Sequence, residues 1–192
     1  FKMLKESNEL HDKLVENVNY FRDKMMAAGV SVFKIEGRAR SAEYVYTVVQ
    51  CYKEAIQAVQ DGTYSEEKVK EWDERLATVF NRGFWDGYYQ GKKLGEWTDK
   101  NGSSATEKKE YVAKGTKYFS KLGVAEFLVE AGEINLGDKL VVIGPTTGVV
   151  YIDVTSMHGD NGPVEKATKG MSVAFPVSEK VRPSDKLYKL VK

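Results

Sequence analysis

A short segment in the first third of the chain places ionisable side chains at every second position. Residues 33–38 alternate apolar and charged types, which is typical of a β-strand, so Lys34, Glu36 and Arg38 would share one face. A strand flanked by helices buries both of its faces. Three charges there would form either an internal salt-bridge network or a site for an anion or a polar substrate. We keep both alternatives and take the three as candidate substrate-binding residues.

The spacings that metals and catalytic nucleophiles use are not found in the sequence. It has two histidines, His11 and His158, and one cysteine, Cys51, and none lies in a His-x-x-x-His, Cys-x-x-Cys or Gly-x-Ser-x-Gly pattern. A single cysteine forbids an intrachain disulfide and cannot hold an iron–sulfur cluster. We therefore expect no metal and no cofactor in this chain, a reducing cytoplasmic location, and no assignable catalytic residue. Cys51 is interpreted as a small buried residue.

Composition and charge exclude several classes of partner. The 192 residues are 42% hydrophobic and 30% charged, with a net charge of +1, which is typical of a soluble globular protein. After residue 97 there are 14 Lys and Arg against 12 Asp and Glu, too even a balance for the basic field of a DNA-binding protein. No apolar run reaches the roughly 18 residues of a membrane span. Neither a membrane nor DNA is expected as a partner.

The first half of the sequence predicts helices on both sides of the charged segment. Residues 4–28 have a helical apolar period, and the predicted strand follows them. Ser41 can cap a second helix that runs to Asp61, and Ser65 can cap a third. The order helix, strand, helix is similar to the last unit of a βα barrel. Residues 1–97 are therefore interpreted as the C-terminal end of such a domain.

The second half predicts an all-β domain. Residues 98–107 are polar and form a predicted linker. Turn signals then separate six short alternating runs, at 111–119, 124–129, 139–143, 149–154, 171–175 and 186–191. This spacing is typical of a small antiparallel β-barrel or sandwich over residues 108–192. The predicted fold class is α+β, with a helical segment followed by a small β-barrel.

Two groups of residues in the first half carry a resemblance to a known family. The motif is Phe33-Lys34-Ile35-Glu36-Gly37-Arg38-x-x-Ser41-x-x-Tyr44-Val45-x-x-Val48-Val49-x-x-Tyr52-x-x-Ala55-Ile56, followed by Asn81-Arg82-Gly83-Phe84 and Gly87-Tyr88. It resembles the C-terminal part of the peptidase U32 family of collagenase-like proteases. Residues 108–192 resemble the accessory β-barrel at the end of many members, and also the second domain of elongation factor Tu. The motif adds Arg82 to the candidate substrate-binding residues.

The resemblance implies a role within a longer protein. Members have an N-terminal βα barrel, so the chain would be their C-terminal portion, which would bind substrate or serve as an accessory and would not be catalytic alone. Its partners would be the remainder of the peptidase-family domain and a peptide or RNA substrate. The alternative is an RNA- or partner-binding module of a tRNA or rRNA hydroxylation protein of the same family. Some of those relatives carry an iron–sulfur cluster on four cysteines, which the one cysteine here cannot provide.

The alternative has its own candidate residues. Lys114, Lys117 and Tyr118 are candidate RNA-binding residues, because cations interleaved with aromatic rings suit single-stranded RNA. Convergence of these and neighbouring lysines on one face would favour RNA, whereas scatter would favour a structural or protein-docking role. A run of charge is usually only a solvated face.

Overall fold

The computed structural model describes residues 34–84 and 102–192. The chain divides into two compact units, residues 1–36 and 37–192, and the helices and sheets below belong to the second unit. The helix predicted over residues 4–28 lies outside the described residues, as do residues 30–33 of the predicted strand. The domain boundary predicted at residues 98–107 stays a prediction.

The described part of the predicted strand is irregular. Residues 34–37 adopt no regular secondary structure, although half-buried and exposed positions still alternate along them. A strand requires a hydrogen-bonded neighbour, and within the described ranges no strand pairing includes these residues. For this part of the segment the prediction of a strand is wrong, because alternation alone supplies no neighbouring strand.

Two helices form where the sequence predicts them: α1 (Ala42–Gln60) and α2 (Glu66–Thr78). Both begin after a serine N-cap. The Ser65 side chain accepts a hydrogen bond from the Lys68 amide at 3.4 Å, whereas the Ser41 hydroxyl donates to Glu43 Oε1 at 2.5 Å. Neither helix is long and apolar enough to cross a membrane.

The two helices share a small core. Cys51, Ala58 and Trp72 are buried between them. The Trp72 indole Nε1–H donates to Glu54 Oε2 at 3.1 Å, and the same carboxylate pairs with Arg75 Nη1 at 2.5 Å. An apolar contact lined by a hydrogen-bonded ion pair therefore fixes α1 against α2.

Ten strands follow the helices. They are β1 (Lys108–Phe119), β2 (Val124–Val129), β3 (Glu133–Asn135), β4 (Lys139–Gly144), β5 (Gly148–Asp153), β6 (His158–Gly159), β7 (Gly162–Pro163), β8 (Lys166–Thr168), β9 (Ser172–Pro176) and β10 (Lys186–Val191). Eight form one sheet in the order β5-β4-β10-β1-β2-β9-β6-β7, and β3 pairs with β8. The pairings are antiparallel. The six predicted runs coincide with the longer strands, and the α+β class is confirmed.

Closure of the large sheet into a barrel is not confirmed. The sheet ends at β5 and at β7, and within the described residues these two strands do not pair. A backbone hydrogen bond from Gly137 N to Val154 O at 2.8 Å connects the turn after β3 to the end of β5, and one from Leu136 N to Glu165 O at 2.9 Å extends the β3–β8 pairing by one residue. One apolar cluster is still formed by residues of these strands and their connections, and within it the rings of Phe127 and Phe175 stack with 4.8 Å between centroids. The β-rich part of the chain therefore has a single buried core without a continuous ladder.

A buried carboxylate ties the turn before β10 to the β4–β5 hairpin. Asp185 is only 3% exposed, and its Oδ2 accepts hydrogen bonds from Thr147 Oγ1 at 2.5 Å and from the Arg182 amide at 2.8 Å. A Cβ atom added at Gly144 would lie 1.9 Å from Asp185 Oδ1. Glycine is required at 144 because the carboxylate occupies the space of a side chain.

The helices are attached to the sheet through α1. Glu43 Oε1 lies 2.7 Å from Lys109 Nζ on β1, and Thr47 Oγ1 lies within hydrogen-bonding distance of Tyr151 OH on β5, at 3.2 Å. The ring of Tyr46 also rests against that of Tyr151, with 6.0 Å between centroids. The N-terminal half of α1 is thus held by polar contacts to two strands.

The substitution Gly144→Ala is expected to lower the free energy of unfolding by about 1–3 kcal/mol, because the methyl group overlaps the Asp185 carboxylate. Gly159→Ala is the matched control, since it is also a strand glycine and its added Cβ would meet no atom closer than 3.5 Å. Urea unfolding followed by circular dichroism measures both. Equal losses of stability in the two variants would contradict the assigned clash.

Acidification is expected to remove the stabilising effect of Glu43. Burial alone would raise the pKa of Glu43, but hydrogen bonds from Lys109 and Ser41 outweigh it and lower the pKa below 4.5. A carboxyl with a lowered folded-state pKa stabilises the fold above its unfolded pKa and loses that contribution as the pH falls through the folded value. Glu43→Gln should therefore cost more unfolding free energy at neutral pH than at about pH 3.

Urea titrations of the wild type and Glu43→Gln at both pH values test this expectation. Glu74→Gln on the exposed side of α2 serves as the control for loss of one negative charge. A cost of Glu43→Gln that does not change between the two pH values would show that the ionised carboxylate contributes nothing to the attachment of α1.

Candidate functional site

The motif residues of the two sequence groups meet at one groove beside α1. The α1 side of the groove is formed by Arg40, Tyr44, Val48 and Tyr52, and the other side by residues 76 and 79–84. Its volume is about 450 Å³, within the range of roughly 300 to 1,000 Å³ that small-ligand sites occupy. The two parts of the motif, separated in sequence, are therefore adjacent in space.

Helical geometry explains the α1 side of this groove. Positions 44, 48 and 52 are four residues apart and fall on one face of a helix. Val48 is 8% exposed, whereas Tyr52 is 44% exposed. The groove thus has a buried aliphatic part next to an accessible aromatic one.

The opposite side of the groove is shaped by Asn81. Its side-chain amide donates to the carbonyls of Ala77 and Val79 at 3.2 and 3.0 Å, which satisfies acceptors at the end of α2. Its Oδ1 accepts from the Gly83 amide at 3.1 Å, and Gly83 has a φ of +93°, a conformation that favours glycine. Asn81 therefore both ends the helix and turns residues 82–84 along the groove.

The groove carries positive charge. The Arg40 guanidinium lies 4.0 Å from the centroid of the Phe80 ring, a cation–π contact, and Arg82 is exposed at the same groove. Among the described residues that line it, none is an aspartate or a glutamate. The chemistry offered is cationic and aromatic, next to an aliphatic surface.

The sequence predicts a dry interior around the three charged residues near the start of the motif, and the structure differs from this prediction. Lys34, Glu36 and Arg38 are all exposed, so the expected dry interior is wrong for this chain. Within the described residues no strand pairs with this segment. Their assignment as substrate-binding residues stays a prediction.

The RNA-binding candidates lie on β1 in separate environments. Lys114 Nζ pairs with Glu130 Oε1 at 2.7 Å, and Lys117 Nζ lies 4.9 Å from the centroid of the Phe119 ring. Tyr118 is half-buried against the core and is not an open stacking surface. These contacts use the side chains locally, and the RNA-binding role stays a prediction.

Arg82 is a predicted candidate that does lie in the groove. Sequence reasoning missed Arg40, Tyr44 and Tyr52 as site residues, although the two tyrosines belong to the motif. The signal available was the helical spacing of positions 44, 48 and 52 within the motif itself. Arg40 has no such signal, because only the fold brings it over Phe80.

The other chemically reactive candidates lie away from the groove lining. Cys51 is 2% exposed, which confirms its interpretation as a small buried residue, and burial raises the pKa of its thiol. His158 is exposed on β6. Within residues 34–84 and 102–192 there is no group of three or more His, Cys, Asp or Glu side chains that could hold a metal ion.

Comparison with known proteins agrees with the motif. Residues 14–99 match the sequence model of Peptidase family U32. A collagenase of Porphyromonas gingivalis is 62% identical over 173 residues, which make up 90% of this chain and 48% of that relative. The chain belongs to peptidase family U32. The resemblance drawn from the motif is confirmed.

A more distant relative of this chain has a different name. The tRNA hydroxylation protein P of Haemophilus influenzae is 27% identical over 146 residues, covering 76% of this chain and 31% of the relative. A solved C-terminal domain of a candidate U32 peptidase of Geobacillus thermoleovorans aligns with a TM-score of 0.40 and 18% identity, over 42% of this chain and 91% of that one. This U32 chain spans about half the length, or less, of the curated relatives it matches.

Cys51 is expected to react with a thiol reagent only when the helices separate. Its burial and raised pKa leave little accessible thiolate in the folded state. Labelling with an aromatic disulfide reagent, measured as a function of urea concentration, should follow the unfolding curve of the helices. Rapid stoichiometric labelling in the absence of urea would contradict the burial of Cys51.

Proposed function

We propose that this chain is a peptide-binding portion of a U32-family, peptidase-like protein and that it does not cleave peptides alone. The observation that supports this is the meeting of both motif groups at the groove beside α1. Residues that define a family by spacing, and then line one accessible groove, are candidates for contact with a ligand. Its further partner in the proposal is the remainder of the longer protein, in a reducing cytoplasmic setting.

The composition of the groove suits a peptide. Aromatic and aliphatic side chains, including Tyr44 and Val48, offer a surface for apolar side chains of the ligand. Phe84 is 58% exposed at one end, and a large exposed aromatic ring is a common anchor in protein interfaces. The groove therefore supplies apolar contact area together with a cationic edge.

The similarity to a tRNA hydroxylation protein keeps RNA binding as a second candidate. The contacts of β1 give it less support, because Lys114 is paired with Glu130 and Tyr118 packs against the core. Lys109, also on β1, is paired with Glu43. A surface whose cations already have carboxylate partners gains little from phosphate contacts.

Removal of the exposed ring at the end of the groove tests the proposal. Phe84→Ala is expected to weaken binding of a fluorescently labelled gelatin peptide at least about fivefold, the effect of losing roughly 1 kcal/mol of contact. Leu122→Ala is the matched control, because Leu122 is 74% exposed on the turn between β1 and β2. Fluorescence anisotropy measures both affinities on the full chain.

Mass spectrometry of the same mixtures tests the second part of the proposal. The labelled peptide should remain intact after prolonged incubation with the wild type. Cleavage that depends on the chain would overturn the non-catalytic assignment, and equal affinities of Phe84→Ala, Leu122→Ala and the wild type would overturn the groove as the binding site.

A further inference from the structure

Neither of the two arginines at the groove forms an ion pair within the described residues. Five other cations there do: Arg75 with Glu54, Lys109 with Glu43, Lys114 with Glu130, Lys166 with Glu133, and Lys189 with Asp138. In the part of the chain that the structure describes, Arg40 donates to the Ala39 carbonyl at 3.4 Å and stacks on Phe80, and Arg82 has no ion pair. The guanidinium groups at this groove are therefore available to an outside anion.

The residues around these two arginines also leave their guanidinium groups open to an outside anion. No described residue of the groove lining is acidic, so no carboxylate among these residues competes for the guanidinium groups. Stacking on Phe80 also holds the Arg40 side chain in place without using its N–H donors. A planar guanidinium with free donors is suited to bind a carboxylate through two parallel hydrogen bonds.

The neighbouring surface restricts which anion fits. Val48 and Val79 are buried beside the groove, and Tyr44 and Phe84 line it. Because the groove holds only about 450 Å³, the charged and the apolar groups of its ligand must lie close together. The last residue of a peptide meets this condition when its side chain is apolar, since its carboxylate and side chain branch from one carbon atom.

We propose that the groove binds the C-terminal carboxylate of a peptide through Arg40 and Arg82, with the apolar side chain of the terminal residue packed beside Val48. This inference rests on the proposed peptide-binding function and adds the chemical group that is recognised. An RNA backbone is favoured less, because consecutive phosphates would need a row of cations, whereas this groove has two guanidinium groups next to an aliphatic surface.

A pair of peptides isolates the carboxylate. One N-acetylated pentapeptide ends in leucine with a free carboxylate, and its twin ends in leucine amide. We expect the full wild-type chain to bind the acid at least about fivefold more tightly than the amide, as measured by isothermal titration calorimetry. The preference should decrease as salt is added, because both arginines are exposed.

Charge-matched variants assign the preference to the groove. The double variant Arg40→Gln and Arg82→Gln should bind the acid and the amide with equal affinity. The control, Lys121→Gln with Lys169→Gln, removes two exposed positive charges elsewhere and should retain the preference. The comparison of acid and amide on the wild type needs no variant, so the inference is testable even where a variant folds poorly.

The possible outcomes separate this inference from the proposed function. Equal binding of acid and amide to the wild type would overturn the carboxylate assignment and leave peptide binding intact, whereas binding of neither peptide would overturn both. An amide peptide with an internal glutamate that binds as well as the acid would overturn the terminal position. A short single-stranded RNA that binds more tightly than the acid, and loses affinity in the arginine double variant, would assign the groove to RNA.

Discussion

The position of α1 decides the arrangement of this protein, because its side chains make three different sets of contacts. Near its N-terminus Glu43 and Thr47 contact the sheet, and further along the same face Cys51 and Ala58 pack on α2. The adjacent face, which includes Tyr44, lines the groove. The contacts to the sheet and to α2 therefore hold in place the helix that forms one side of the groove.

The attachment of α1 relies on a pair of groups that water only partly reaches. The side chains of Glu43 and Lys109 are 14% and 29% exposed, and one carboxylate oxygen of Glu43 is buried with no hydrogen-bond partner. Partial burial makes such a pair less sensitive to salt than the exposed pair of Lys166 and Glu133. Polar contacts of α1 therefore help to define where the helices meet the sheet.

Local sequence signals predicted the elements, and long-range contacts account for what they missed. Helix caps and strand alternation are set by a few neighbouring residues. The sequence alone is therefore sufficient to predict the helices after Ser41 and Ser65 and the longer strands. Contacts between distant parts of the chain determine two features that the sequence did not predict. These are the two ends of the large sheet, at β5 and β7, and the position of Arg40 over the Phe80 ring. The charged trio near residue 36 shows the same limit, since alternation indicates a shared face but not what covers that face.

The close approach of Gly144 and Asp185 links two positions that lie far apart in the sequence. The carboxylate fills the volume that any side chain at 144 would need, and it also satisfies the donors of Thr147 and Arg182. A larger residue at 144 is compatible only with a shorter one at 185, and a shorter one at 185 removes the acceptor of two partly buried donors. A substitution at either position is therefore tolerated only together with a compensating change at the other.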